Sequence, residues 1–248
     1  MTLKQFFEEN PKVALAFSGG VDSAYLLYAA KSCGAQVGVY YVKTPFQPDF
    51  EYRDAEKLAR QLGVEMTTLH LNVISDPDIA QNPKNRCYFC KKRIFTAILE
   101  QTKADGYPLV IDGTNASDDT ADRPGMQALK ELGIASPLRL CGLTKGEIRK
   151  LSKAAGLFTH DKPAYACLAT RIPAGTPITR EQLALTEHSE AFLMDLGFSD
   201  FRIRLMGTAA RIQVPESQLS LLLAHRETIL QELKKYYSAI LLDLEVRQ

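Results

Sequence analysis

The run VALAFSGGVDSAYLLYAA, Val13 to Ala30, decides the fold. Five apolar residues, Val13 to Phe17, lead into Ser18-Gly19-Gly20-Val21-Asp22-Ser23, and a helical pattern follows. An apolar run of this length ahead of a glycine-rich junction reads as a buried strand feeding a helix. Glycines at that junction let the backbone turn sharply and let a ligand approach the amides. The helix that starts there points free N–H groups and the positive end of its dipole at whatever binds. The loop therefore reads as a phosphate cradle, with Ser18 and Ser23 as hydroxyl donors. Asp22 does not bind phosphate itself, because two anions repel; it holds a Mg²⁺ that bridges the phosphates, or it positions the loop. A tight strand-to-helix turn without a ligand is the plainer alternative. The string is neither G-x-x-x-x-G-K-[ST] nor G-x-G-x-x-G.

Outward from this junction, strand-length apolar runs at Lys12–Phe17, Gln36–Val42, Met66–Leu71, Leu109–Asp112 and Ile134–Leu138 alternate with helical patterns. The helices are expected at Asp22–Ser32, Tyr52–Leu62, Cys87–Lys103 and Pro124–Leu132. Such alternation predicts an α/β fold, a doubly wound parallel sheet of five strands covered on both faces. Thr144 and Glu147 form a T-x-x-E capping box that opens a further helix ending near Gly156. From Phe158 to Pro177 periodicity stops, and a structureless stretch of that length is more often functional than idle. Then the pattern changes. A helix at Thr179–Leu196, a strand–turn–strand in FRIRLMGTAARIQVP around Gly207-Thr208, a helix at Ser217–Lys235 and a last strand in AILLDLEV predict a smaller α+β domain. The expected boundary lies near Gly175, giving domains 1–175 and 176–248.

The chain of 248 residues has 46% hydrophobic and 24% charged residues and a net charge of +1. The composition is that of a globular protein, and the near-zero charge argues against nucleic acid as the main partner. No apolar run approaches the ~20 residues of a membrane span. The charged Met1–Asn10 segment does not read as a signal peptide, so the expectation is a cytoplasmic protein. Five cysteines are an odd number and do not suggest a disulfide scaffold. Two of them, Cys87 and Cys90 in NRCYFCKKR, share one helix face at i and i+3. Cys167 sits in PAYACLATR, inside the irregular segment. Three thiolates leave one open position on a four-ligand centre, which suits zinc with solvent or a [4Fe–4S] cluster with one exposed iron. Lys91, Lys92 and Arg93 make the neighbourhood electropositive, which favours thiolate ligands. Two buried small hydrophobes on a helix are the alternative. Arg202 and Arg204 alternate on a strand and point to one face, where guanidinium forks suit phosphate or carboxylate. Asp118, Asp119, Asp122 and Arg123 follow a strand end, where α/β enzymes place ligand contacts, and Arg123 is the candidate among them.

SGGVDS resembles the PP-loop of the ATP pyrophosphatases, which have an adenine nucleotide alpha hydrolase-like fold. The strings DGTNASDDTADRPG (Asp112–Gly125), ACLATRIPAGTPIT (Ala166–Thr179) and FRIRLMGTAARIQVP narrow this to a resemblance to the LarE-type sulfur transferases, over nearly the whole chain. The resemblance implies ATP and Mg²⁺ at Ser18, Gly19, Gly20, Asp22 and Ser23. It implies cleavage between the α and β phosphates and adenylation of a carboxylate of pyridinium-3,5-biscarboxylic acid mononucleotide. That carboxylate becomes a thiocarboxylate on the way to a nickel-pincer cofactor. It implies that Arg202 and Arg204 bind the substrate phosphate, that Glu190 contacts metal or substrate, and that Arg171 touches ATP or the adenylate. Members come in two kinds: one gives up the sulfur of a single cysteine, the other has C-x-x-C plus a loop cysteine and resembles [4Fe–4S]-dependent thiolases. The set Cys87, Cys90 and Cys167 has the second pattern, and Cys167 is displaced by about one position from the sacrificial cysteine. A homo-oligomer, with a hexamer as one form, is also implied; the sulfur donor is not. The alternatives are a tRNA thiolase of the same superfamily and sacrificial transfer from Cys167.

Overall fold

The computed structural model describes residues 1–118 and 124–247. Asp119, Asp122 and Arg123 lie outside the described residues. Compact packing divides the chain into two units, Met1–Val73 with Asn85–Lys162, and Ile74–Lys84 with Pro163–Gln248.

The first unit is built on a parallel sheet of β1 (Lys12–Ala16), β2 (Gln36–Lys43), β3 (Met66–His70) and β4 (Val110–Ile111), in the order β3-β2-β1-β4. Its helices are α1 (Leu3–Glu9), α2 (Val21–Ser32), α3 (Asp49–Gln61), α5 (Arg86–Ala104), α6 (Pro124–Glu131), α7 (Pro137–Leu140) and α8 (Lys145–Ala154); α4 (Pro77–Ala80) belongs to the second unit. Both faces of β1 are buried because both are apolar. Val13 and Leu15 pack into one core with Leu26 and Leu27 of α2, Leu58 of α3 and Ile148 of α8. Ala14 packs into the other with Phe95 and Ile98 of α5 and Leu129 of α6. This is the expected doubly wound arrangement.

The expected fifth strand does not form. Among the described residues the sheet has four strands, and Ile134–Leu138 contributes only an isolated parallel bridge from Ala135 to Ile111. Pro137 ends the extended run, because proline has no N–H to donate and sits at the start of α7 instead.

The second unit holds α9 (Arg180–Asp195), α10 (Leu219–Ala224), α11 (Arg226–Leu233) and a sheet of β5 (Arg202–Met206), β6 (Ala209–Gln213) and β7 (Ile240–Leu242), in that order. β5 and β6 form the expected antiparallel hairpin around Gly207, at φ +60. β7 runs parallel to β6. The single helix expected over Ser217–Lys235 is interrupted at His225, whose ring lies 6.3 Å edge-on to Phe198. No proline or glycine marks this break in the sequence. The segment Ile74–Lys84 joins this unit through Asn82. Its side chain donates to the carbonyls of Ile172 (3.3 Å) and Pro173 (2.9 Å), while its own carbonyl accepts from Gly175 N at 2.8 Å.

In the first unit, chain order reverses direction around β1: β2 and β3 lie to one side, β4 to the other. The carboxyl ends of β1 and β4 therefore flank a topological switch point, where open α/β sheets bind ligands. Gly19 stands there at φ +73, and a Cβ on it would meet the Ala55 Cβ of α3 at 2.8 Å. Replacing Gly19 by Ala combines a left-handed backbone penalty with a backbone–helix clash. We expect Gly19→Ala to destabilise the first unit by about 2 kcal/mol or more and to weaken nucleotide binding, read by thermal unfolding with and without MgATP.

Candidate active site

The loop after β1 is tied together by its own hydroxyls. Ser18 Oγ lies 3.1 Å from Ser23 Oγ, Ser23 Oγ donates to the Gly20 carbonyl at 3.2 Å, and the Gly20 amide meets Ser18 Oγ at 3.4 Å. These bonds hold the loop in a curl. Gly20 is the N-cap of α2, and no side chain of the described residues caps that helix. The amino end of a twelve-residue helix is thus left for an anion. Gly113, just beyond β4, comes so close that a Cβ on it would lie 2.9 Å from the Ser23 amide nitrogen. The loops after β1 and β4 consequently form one crevice.

Asp22 stands in the first turn of α2. Its Oδ2 accepts a 2.5 Å hydrogen bond from Lys145 Nζ, whereas Oδ1 is buried without a partner among the described residues. Burial pushes the Asp22 carboxyl above the usual range, against the opposing pull of Lys145. A desolvated carboxylate oxygen in the first turn of a helix whose amino end is uncapped among the described residues fits a divalent cation. Just after β4, buried Asp112 accepts from Ser136 Oγ (2.6 Å) and Thr114 Oγ1 (2.5 Å). Sequence reading did not single out Lys145. The available signal is electrostatic: Lys145 occupies the first position of α8, where the helix dipole disfavours a cation.

Cys87 and Cys90 lie near the amino end of α5, Cys87 exposed and Cys90 half-buried. Arg86 Nη2 approaches Cys87 Sγ at 3.8 Å. Lys92 is turned to Tyr88 Oη (3.0 Å) and Glu131 (3.4 Å). Cys167, half-buried, precedes a single tight turn at Leu168–Arg171 in the second unit. Among the described residues, no group of three or more His, Cys, Asp or Glu is gathered to hold a metal ion. The thiol-only donor set is nonetheless the chemistry that suits iron–sulfur or zinc over Mg²⁺.

In the second unit the expected substrate-binding residues surround the Cys167 segment. Glu190 and Arg171 are each 1% exposed and bind each other in a fork, with Nε to Oε1 at 2.8 Å and Nη2 to Oε2 at 2.9 Å. Glu190 also accepts from the Ile203 amide at 2.9 Å and from Tyr165 Oη. Arg171 Nη1 donates to the Ala166 carbonyl (2.9 Å) and Thr170 Oγ1 (2.8 Å). Arg202, 4% exposed, donates to the carbonyls of Phe201 (2.5 Å) and Ala164 (2.6 Å), and Arg204 donates to that of Thr170 at 3.1 Å. The Tyr165 ring lies between two guanidiniums, 4.6 Å from Arg171 and 5.0 Å from Arg202. Three arginines read from sequence as anion or nucleotide contacts thus grip backbone carbonyls of residues 164–170 and Phe201. Burial opposes the Arg171 charge, but Glu190 more than offsets it and holds the guanidinium firmly protonated. Arg202 has no such partner, and burial with the nearby charge of Arg171 lowers it to about 10. Arg204 is half-buried and shifted down by burial.

Over 246 residues the chain is 29% identical to the pyridinium-3,5-bisthiocarboxylic acid mononucleotide synthase of Lactiplantibacillus plantarum, covering 98% of this chain and 89% of that one. Over nearly its full length the chain is thus similar to a LarE-type sulfur transferase. It is 38% identical over 219 residues to an uncharacterized protein of Synechocystis, covering 88% of this chain and 81% of the other. Its likeness to the tRNA-specific 2-thiouridylase MnmA of Pseudothermotoga lettingae is 28% over 191 residues, 61% of this chain and 54% of that enzyme. This places the LarE-type chain in the wider PP-loop superfamily. No family model matches it. Among the described residues no helix is long and apolar enough to cross a membrane.

Removing half of a buried ion pair strands the other half. Glu190→Gln leaves Arg171 charged and buried, and we expect a loss of about 3 kcal/mol or more, measured by denaturant unfolding.

Proposed function

We propose that the chain is an ATP-dependent sulfur transferase. It adenylates a carboxylate of pyridinium-3,5-biscarboxylic acid mononucleotide and converts it to a thiocarboxylate. The observation that carries this reading is the pairing, in one crevice, of an uncapped helix amino end with a buried carboxylate oxygen that has no partner. The first takes phosphate and the second takes the cation that travels with it. The near full-length likeness to the bisthiocarboxylic acid synthase supplies the substrate class.

In this reading Ser18, Gly19, Gly20 and Ser23 hold the β and γ phosphates of ATP through amides and hydroxyls. Asp22 would hold Mg²⁺, which neutralises the departing pyrophosphate. The substrate carboxylate attacks the α-phosphorus, the α–β bridge bond breaks and pyrophosphate leaves. Hydrosulfide then attacks the acyl carbon, and AMP departs with the former carboxylate oxygen. Cys87, Cys90 and Cys167 would hold a [4Fe–4S] cluster, whose iron without a protein ligand supplies a soft acceptor for inorganic sulfur. Arg204, the half-buried arginine of the three, takes the substrate phosphate. Arg171, Arg202 and Glu190 fix the segment that carries Cys167.

The test separates activation from sulfur delivery. Protein prepared without oxygen is expected to hold about four irons and to release pyrophosphate when given ATP and the biscarboxylate mononucleotide. Cys87→Ala is expected to retain pyrophosphate release and lose thiocarboxylate formation. Loss of one H₂S from the polypeptide after turnover would instead assign sacrificial transfer, and thiolation of tRNA the other alternative.

A further inference from the structure

Lys145 is placed where simple helix electrostatics disfavours it. It is the first residue of α8, and the amino end of a helix repels a cation. Its amide is fixed by Ser117 Oγ at 3.0 Å, from the loop beyond β4, which aims the side chain across the crevice. There Nζ meets Asp22 Oδ2 at 2.5 Å. The pair is only partly exposed, with side-chain accessibilities of 34% for Lys145 and 22% for Asp22. Among the described residues Asp22 therefore has one oxygen held by the ammonium and one oxygen, Oδ1, buried and unmatched. One partner for two desolvated oxygens is an incomplete arrangement. Among the described residues, Asp118 and Arg149, of opposite sign, also act on Asp22.

We propose that Lys145 is a positioning residue that stands in for the divalent cation at Asp22: it neutralises the carboxylate in the nucleotide-free protein and yields it when cation and nucleotide arrive together. The inference rests on reading Ser18–Ser23 as the nucleotide loop. Two positive charges cannot share one carboxylate at full strength, so the lysine and the cation compete for it. The ammonium keeps Asp22 correctly turned while the site is empty. It also sets a threshold against a cation that arrives without phosphates, because only the nucleotide compensates for displacing it.

The competition is measured directly with Mn²⁺, by spin-resonance titration of the full chain, alone and with α,β-methylene ATP. Replacing Lys145 by Met removes the competitor. We expect the Mn²⁺ dissociation constant without nucleotide to tighten about fivefold or more, the equivalent of a partly exposed ion pair. Lys145→Arg keeps a competing charge and should stay within about twofold of the parent. Lys153→Met removes the same charge from the same helix, away from Asp22, and should likewise stay within about twofold. Folding of each variant is checked by its thermal transition. A purely structural lysine predicts the reverse, a weaker Mn²⁺ site in Lys145→Met through loss of order, and that result overturns the proposal. Equal tightening in Lys153→Met also overturns it, since general charge then explains the effect. Asp22→Asn separates the two readings: if nucleotide-dependent Mn²⁺ binding survives it unchanged, the loop assignment itself fails. If binding falls in Asp22→Asn but does not tighten in Lys145→Met, only the role of Lys145 is lost.

Discussion

The amino end of α2 must remain open while everything around it closes, and the first unit is organised by that constraint. A helix terminus with no capping side chain leaves donors that need a partner, and a carboxylate in its first turn would ordinarily serve as one. Here Asp22 is turned to Lys145 instead, so the donors stay directed into the crevice. Closure is achieved by backbone contact. Gly19 fits against Ala55 of α3, and Gly113 fits against the first turn of α2, each with no room for a Cβ. The sheet order places these contacts at the one point where neighbouring strands leave in opposite directions.

The second unit solves a different problem, that of holding an irregular segment still. Residues 164–167 lie outside any helix or strand, and arginines bind the carbonyls of Ala164, Ala166 and Thr170. Arg171, Arg202 and Arg204 donate to carbonyls in or beside that stretch, and Glu190 binds Arg171 from below. Burying this much positive charge is tolerable because Glu190 compensates one guanidinium and the Tyr165 ring faces two. Cys167 thereby lies in a stretch whose carbonyls are held by buried arginines.

Much of this was legible beforehand. The β1–loop–α2 junction follows from local chemistry alone: a doubly buried strand must be apolar throughout, and the loop needs glycine at φ +73. The T-x-x-E box at Thr144 formed as written, with the Glu147 amide at 3.4 Å from Thr144 Oγ1. The β5–β6 hairpin formed around Gly207. What failed was non-local. The fifth strand looked apolar enough, but Pro137 diverted it into a helix after one bridge. The arginines at 171, 202 and 204 also donate to nearby carbonyls, contacts that their chemistry alone does not reveal.

By itself the sequence determined the α/β class, the glycine turn between β1 and α2 and the type of each polar side chain, because helix caps, glycine turns and apolar runs act over a few residues. Only the tertiary structure decided which charges meet. Lys145 reaches Asp22 across more than a hundred residues, Glu190 finds Arg171, and Asn82 joins Ile74–Lys84 to the second unit. Coulomb and hydrogen-bond energies depend on distance in space, and no periodicity along a chain encodes that distance.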